Sequence, residues 1–422
     1  MSFQGFEGPA GTGKTHRLIE DMVAWVTSHP LKPHQQVLAL TFMHGSRRRL
    51  DQRLSSIPSL RGRFSCMTID SLAEQLVDRW RSLCIHHDLV PGNFEETVDS
   101  AAHLLEQRIV AQWLAATFPV VVVDEAQELT PARLRLVQAV VPHTQCFVAA
   151  DEFQCLSDEI DPTPFRNWFA TGQITQLTQV RRTNEQGLLD AAIALRTGMA
   201  PTNGPGLQIV YKFKNQVPFA IGYALHNGLR KGGDVALIVA PSAKRWADEL
   251  IPRFTTGFRS SSSNQTVSAL RIGWETRPDD EIVQVMAGIA GTGSIPCDTI
   301  LSDLAAVSDP PPWQADVIQA ITHQRQACGQ LAWTKAALQS LVERKAAIHR
   351  AYGYNRPGGI PVMSIHGAKN RQFQHVVVLW PPGVRGDDDQ KRRLLYNAIS
   401  RAQKSCTVFV RTEELLRAPP FA

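Results

Sequence analysis

The sequence predicts an α/β protein of two parallel-sheet lobes carrying small, mostly helical insertions. Three observations lead there. Short, continuously apolar runs end in polar residues, as strands buried on both faces of a parallel sheet do. Helical stretches separate these runs. A glycine-rich loop stands before the first helix.

The loop comes first. FEGPAGTGKTHRL (Phe6–Leu18) contains Gly8, Pro9, Ala10, Gly11, Thr12, Gly13, Lys14 and Thr15, which match G-x-x-x-x-G-K-[ST] at every fixed position. Its glycines let backbone N–H groups curl around phosphate oxygens. Lys14 is placed to reach the outer phosphates of ATP, and the Thr15 hydroxyl to hold Mg²⁺. HRLIEDMVAWV reads as the following helix, whose N-terminus favours an anion.

The strands follow in order. VLALTF (Val37–Phe42), VVVVDE (Val120–Glu125) and CFVAAD (Cys146–Asp151) form one set. DVALIVA (Asp234–Ala240), GIPVMSI (Gly359–Ile365), HVVVLW (His375–Trp380) and CTVFV (Cys406–Val410) form the second. Ligands of open sheets bind at the carboxyl ends of strands, where the polar residues fall. Asp124 is suited to hold Mg²⁺, and Glu125 to orient and deprotonate an attacking water.

Between the sets, Leu72–Phe118 reads as mostly helical with a turn at Val90–Asn93. Ile251–Gly358 is less regular. It has a serine run (Ser260–Ser263), a proline break (Pro310–Pro312) and a helix from Leu331 to Tyr352, with Leu338, Leu341, Val342 and Ile348 as its core stripe. GIAGTGS (Gly288–Ser294) lacks the G-K-[ST] ending and reads as an ordinary turn. The expected division is therefore 1–71 with 119–195 as the first lobe, 72–118 as a helical insertion, 196–250 with 359–422 as the second lobe, and 251–358 as a further insertion.

Composition narrows the class. The chain has 422 residues, 43% of them hydrophobic, enough for proper cores. No run has signal-peptide or membrane-spanning character. The seven cysteines are scattered without a C-x-x-C pair, which argues against structural zinc and a disulfide framework and fits a reducing cytoplasm. The net charge of +5 is a weak sign of a polyanionic partner. His44–Arg63 is locally basic, with Arg47, Arg48, Arg49, Arg53, Arg61 and Arg63 against Asp51. Three consecutive arginines cannot share one helix face, so only some of them serve one site.

The order of motifs resembles superfamily 1 helicases of the UvrD/Rep type, in a compact form. LALTFMHGS is similar to their motif Ia, CMTIDSLA to Ib, DEAQE to II, AADEFQCL to III, LTQVRRT to IV, VMSIHGAKNRQF to V and RRLLYNAISRA to VI. The resemblance implies a P-loop NTPase of two RecA-like lobes. In it Lys14, Asp124, Glu125, Gln154, Arg182 and Arg401 are catalytic, with Gln154 sensing the γ-phosphate and the two arginines closing the site. It implies nucleotide contacts by the loop residues, His16, Arg17 and Gln372. The strand would lie against Thr41, Phe42, Thr68, Ser71, Phe165, Trp168 and His366, although a Phe that ends a strand serves a core equally well. Single-stranded or tailed duplex DNA is the implied partner. Lys369 and the absence of a proline-rich ending to motif III imply 3′→5′ movement. A DNA-gated ATPase that regulates a partner nuclease, as in Gabija-type defence systems, is the alternative, and an RNA helicase ranks below it.

The sequence departs from the family in several places. The usual adenine-reading glutamine lies well upstream of the loop, and Gln4 stands too close to Gly8 to replace it. Arg181 occupies the position of an adenine-stacking aromatic, and its planar guanidinium can stack in turn. Asn370 and Gln372 replace a usual Gly and Glu, and Asp70 replaces a common His.

Overall fold

The structure, a computed structural model, describes residues 3–42, 44–89, 94–157, 160–259, 265–275, 278–291, 293–308, 310–311, 313–351 and 359–422. The turn at Val90–Asn93, the serine run and Pro312 lie outside these residues. The chain forms two compact units. The first comprises Met1–Phe42, Arg49–Trp274 and Pro357–Ala422, and the second Met43–Arg48 and Glu275–Arg356.

The first unit contains two parallel sheets. The first sheet is built from β1 (Gln4–Glu7), α1 (Lys14–Ser28), β2 (Val37–Thr41), α2 (His44–Ser55), β3 (Phe64–Thr68), α3 (Ile69–Arg79), α4 (Arg81–His86), α5 (Phe94–Glu106), α6 (Arg108–Thr117), β4 (Val120–Asp124), α7 (Pro131–Val140), β5 (Gln145–Ala150), α8 (Pro162–Phe169) and β6 (Gln173–Gln176). Its strand order is β3-β2-β4-β5-β1-β6. Thr41 is in register with both Thr68 and Asp124, so three polar residues end neighbouring strands at one level. β2 and β4 are buried along their whole length, which accounts for their unbroken apolar sequences.

The expected insertion at 72–118 is not set apart. Leu72, Leu76, Val98, Ala101 and Leu114 join Leu38, Val121 and Val148 in one core. Each helix carries an apolar stripe, and the sheet face is the surface that buries it.

The second lobe begins with α9 (Gln186–Arg196), β7 (Leu207–Tyr211), α10 (Val217–Arg230), β8 (Val235–Val239), α11 (Lys244–Thr256), β9 (Phe258–Arg259), β10 (Thr266–Val267) and β11 (Ile272–Trp274). The chain then forms the second unit with α12 (Pro278–Gly288), β12 (Ser294–Pro296), α13 (Cys297–Ala305), α14 (Gln314–Cys328), β13 (Ala332–Thr334) and α15 (Lys335–Ala351). It returns as β14 (Ile360–Ser364), β15 (Phe373–Trp380), α16 (Asp388–Ile399) and β16 (Ala402–Val410). The second sheet has the order β11-β14-β8-β15-β16-β7 and is parallel throughout.

Two boundaries differ from the sequence reading. α9, expected in the first lobe, buries Leu188, Ala191 and Leu195 in the second-lobe core. Residues 251–274, expected in the insertion, supply Phe254, Leu270 and Ile272 to the other face of the second sheet, and β11 pairs with β14. Only from Glu275 does the chain build a separate core, around Ile300, Trp313, Val317, Ile321, Trp333 and Leu338. Leu341 and Val342 are buried there as their spacing predicts, while the side chain of Ile348 lies outside the described residues. The expected helix from Leu331 starts at Lys335, because Ala332–Thr334 pairs antiparallel with Ser294–Pro296. Gly291 and Gly293 take positive φ between α12 and β12, as a turn requires. Among the described residues no helix is long and apolar enough to cross a membrane.

Candidate nucleotide site and nucleic-acid face

The phosphate-loop residues Gly8–Gly13 link β1 to α1. Gly11 (φ 86°) and Gly13 (φ 89°) lie in the left-handed region, where a Cβ is strained. A Cβ on Gly11 would also stand 2.6 Å from Cβ of Arg182. Lys14 is buried, and its Nζ donates to the carbonyls of Gly8 (2.7 Å) and Pro9 (3.2 Å). It lies 3.6 Å from Asp151 Oδ2. Thr12 Oγ1 donates to Pro9 O at 2.9 Å. The first turn of α1 has no acidic residue, so nothing there competes with an anion. His16 and Arg17 point along the helix surface, where they pair with Glu20 and Asp21.

β4 ends the site on its acidic side. Thr15 Oγ1 donates to Asp124 Oδ2 at 2.9 Å. Burial, with neighbouring Glu125, pushes the Asp124 carboxyl up to about 6, despite Thr15 and Lys14. Glu125 has φ 59° and ψ 40°, a left-handed conformation that costs a non-glycine residue about 1–3 kcal/mol. That kink takes Glu125 off the strand line. Its Oε2 accepts from Gln127 Nε2 at 2.6 Å, and Gln127 Oε1 accepts from Asp151 N at 2.9 Å. The adjacent oxygens of Thr15 and Asp124 suit a hard cation such as Mg²⁺. Among the described residues no three His, Cys, Asp or Glu side chains group to hold a metal, so an ion here would take its remaining oxygens from phosphate and water.

β5 delivers Asp151, fully buried, to the centre. It accepts from Gln154 Nε2 (2.7 Å) and Arg196 Nη1 (2.6 Å). Burial alone would raise its pKa, but Lys14 and Arg196 outweigh burial and hold the carboxyl below its usual range. Gln154 Oε1 in turn accepts from Arg401 Nη2 at 3.3 Å. Arg401 is 1% exposed and also donates to Asn397 O and Ser400 Oγ. Arg182 Nη1 donates to Ser400 O at 2.7 Å, and Gln372, with its amide turned to satisfy its neighbours, accepts from Arg182 at 3.2 Å. Burial and the neighbouring Arg182 lower the Arg401 guanidinium to about 9. Burial likewise lowers Arg182. Buried guanidinium groups this close together mark a place where an anion is favoured.

The proposed ATP-site residues Lys14, Thr15, Asp124, Glu125, Gln154, Arg182, Gln372 and Arg401 are thus linked through short contacts spanning both sheets. Sequence reasoning missed four neighbours. Asp151 and Arg196 are one pair. Arg49, read only as part of a charge run, is lowered to about 10 by burial and by Arg182, Arg53 and Arg371, with Glu125 opposing. Tyr396 is the fourth. Ala10 N donates to its buried Oη at 2.7 Å, tying α16 of the second lobe to the phosphate loop. Burial and Asp151 push its pKa above the usual tyrosine range. Its place in RRLLYNAISRA, one motif with Arg401, was the available signal.

The residues expected to meet a strand are more dispersed. Thr41 and Thr68 are buried at the strand ends, and Thr68 Oγ1 caps α3 by accepting from Ser71 N at 3.1 Å. Phe42 is half-buried with the Arg133 guanidinium 5.2 Å from its ring centre. Arg133 pairs with Asp70 (2.8 Å) and Glu95, which gives the acid at position 70 a local reason. Phe165 is corrected: it is buried in the core and stacks on Phe169 at 5.3 Å, because both lie on the inward face of α8. Trp168 stacks on Phe3 at 4.5 Å and is half-buried. His366 is exposed after β14 on the second lobe. A buried ion pair between Glu128 and Lys369 joins the two lobes.

Two family profiles match parts of the chain. An AAA domain profile matches residues 1–211, and a UvrD-like helicase C-terminal domain profile matches residues 359–409. No curated protein matches in sequence. The chain is similar to the crystal structure of Arterivirus nonstructural protein 10 (helicase), with 11% identity and a TM-score of 0.40 over 99% of this chain and 62% of that one. It is also similar to the complex of Arterivirus nonstructural protein 10 (helicase) with DNA, with 10% identity and a TM-score of 0.37 over 97% of this chain and 61% of that one. The chain therefore spans about three-fifths of the length of these solved structures.

Proposed function

We propose that this chain, which belongs to the AAA-domain family by the match over residues 1–211 and matches a UvrD-like helicase C-terminal domain over residues 359–409, is a UvrD-like superfamily 1 helicase, an ATP hydrolase that moves on single-stranded DNA. The observation that carries this reading is the chain of contacts from Lys14 through Asp151 and Gln154 to Arg401. One lobe holds the triphosphate on backbone N–H groups and Lys14. Glu125 activates the water, and Arg182, on the segment between β6 and α9, together with Arg401 from the other lobe, compensates charge on the transferred phosphoryl group. Mg²⁺ at Thr15 and Asp124 would neutralise phosphate charge. Loss of the γ-phosphate would remove what both lobes hold in common, so opening follows chemistry.

Movement is proposed as 3′→5′, from family resemblance. The Glu128–Lys369 pair gives Lys369 a structural use as well. Unwinding of duplexes with a 3′ or a 5′ single-stranded tail tests direction. Selective unwinding of the 5′-tailed substrate would reverse the assignment. The second reading, a DNA-gated ATPase subunit serving a nuclease, would take first place if hydrolysis depends on DNA but neither duplex is opened until a co-purifying nuclease is added.

A further inference from the structure

The second sheet carries a cavity that the nucleotide site does not use. It has a volume of about 860 Å³, within the range of small-molecule sites, about 300–1,000 Å³. Its floor is the outer edge of the sheet, with Gln208 and Val210 from β7 and Ser405 and Thr407 from β16. Its wall is one face of α10, with Phe219, Tyr223 and Asn227 at helical spacing and Gln216 just before the helix. α9 and α16 pack in the core on the opposite face of this sheet.

Three features specify the ligand. Lys212, Lys231 and Lys404 line the cavity, with Glu185 as an opposing carboxylate. Phe219 and Tyr223 lie nearly parallel, with ring centres 6.2 Å apart, and Tyr223 is 58% exposed, so its ring face is available. His375 is 4% exposed and lines the same space. Its Nδ1 is 2.7 Å from Ser405 Oγ, while its buried Nε2 has no hydrogen-bond partner. Burial, Lys231 and Lys404 keep the ring toward its neutral form.

The free edge of β7 is closed to strand addition. Asn203 accepts from Ile209 N at 2.5 Å and donates to Ile209 O at 3.3 Å, and Gly204 pairs with Leu207. An extended peptide would find those backbone groups already used.

We infer that this cavity binds a nucleotide outside the ATP site, its phosphate between Lys231 and Lys404 and its base against Tyr223. The source is either a free mononucleotide or one residue of a bound strand. Lysine charge with aromatic stacking is the chemistry by which both are held.

The test uses the full chain with its ATP site filled by a non-hydrolysable ATP analogue and Mg²⁺, after binding of that analogue has been measured on its own. AMP is then titrated calorimetrically against the parent, Lys231→Glu/Lys404→Glu and Tyr223→Ser. The expected result is binding of AMP by the parent, weakened about tenfold or more by either variant, with analogue affinity unchanged. Displacement of AMP by a short oligothymidylate would assign the site to a strand residue, and no displacement to a free nucleotide. Equal AMP binding by parent and variants, or no binding of AMP or oligothymidylate at all, would overturn the inference. So would capture of polyglutamate in place of AMP, which would make this a protein-docking surface.

Discussion

At the scale of single residues, the site depends on which charges are held where. Lys14 is fixed by two loop carbonyls and faces Asp151, so Lys14→Ala removes the charge while the backbone of the loop remains. Hydrolysis is predicted to vanish. Glu125→Gln keeps shape and loses the base, and turnover is predicted to fall by about 10²–10⁴-fold with nucleotide binding retained. Near-normal turnover in the purified variant would refute Glu125 as the base. Tyr396→Phe tests a residue that sequence reasoning missed. It strands the buried Ala10 N–H, at a cost of about 1–3 kcal/mol. The expected result is lower kcat and weaker nucleotide binding together, because the phosphate loop loses its tie to α16. Unchanged kinetics would make the contact incidental. The lysine and the acids were legible because they stand in fixed local patterns. Asp151, Arg49 and Arg196 were not, because their roles come from residues far away in sequence. Phe165 was misread for a related reason: burial on one face of α8 is a tertiary fact that a short motif does not state.

At the scale of elements, strand ends set the geometry. The register of β2 with β3 and β4 brings Thr41, Thr68 and Asp124 level; β2 and β4 are continuous apolar runs of equal length, while β3 (FSCMT) is half-buried and was not legible as a strand. The runs of β2 and β4 were readable, and so was the helix after the loop. The boundary helices were not. α9 has an apolar stripe that suits either lobe, and only packing assigns it to the second. The short pair β12–β13 lies below the length at which alternation is informative. The Glu128–Lys369 pair supplies the element-scale prediction. Both groups are buried, so Lys369→Met leaves an uncompensated carboxylate and should destabilise the protein by about 3–5 kcal/mol. Adding Glu128→Gln to that variant should recover much of the loss, measured by denaturant unfolding. Additive losses in the double variant would show that the pair does not act as a pair.

For the molecule as a whole, the two sheets belong to one compact unit and share the proposed site, while the stretch Glu275–Arg356 keeps a core of its own. The proposed motor action rests on nucleotide and strand acting on the same pair of lobes. The most direct test is the rate of ATP hydrolysis by the purified chain with and without single-stranded DNA, with Lys14→Ala as the blank. The account predicts hydrolysis that rises strongly with DNA and is absent in the blank. Hydrolysis of the same rate with and without DNA, or equal in parent and Lys14→Ala, would contradict it.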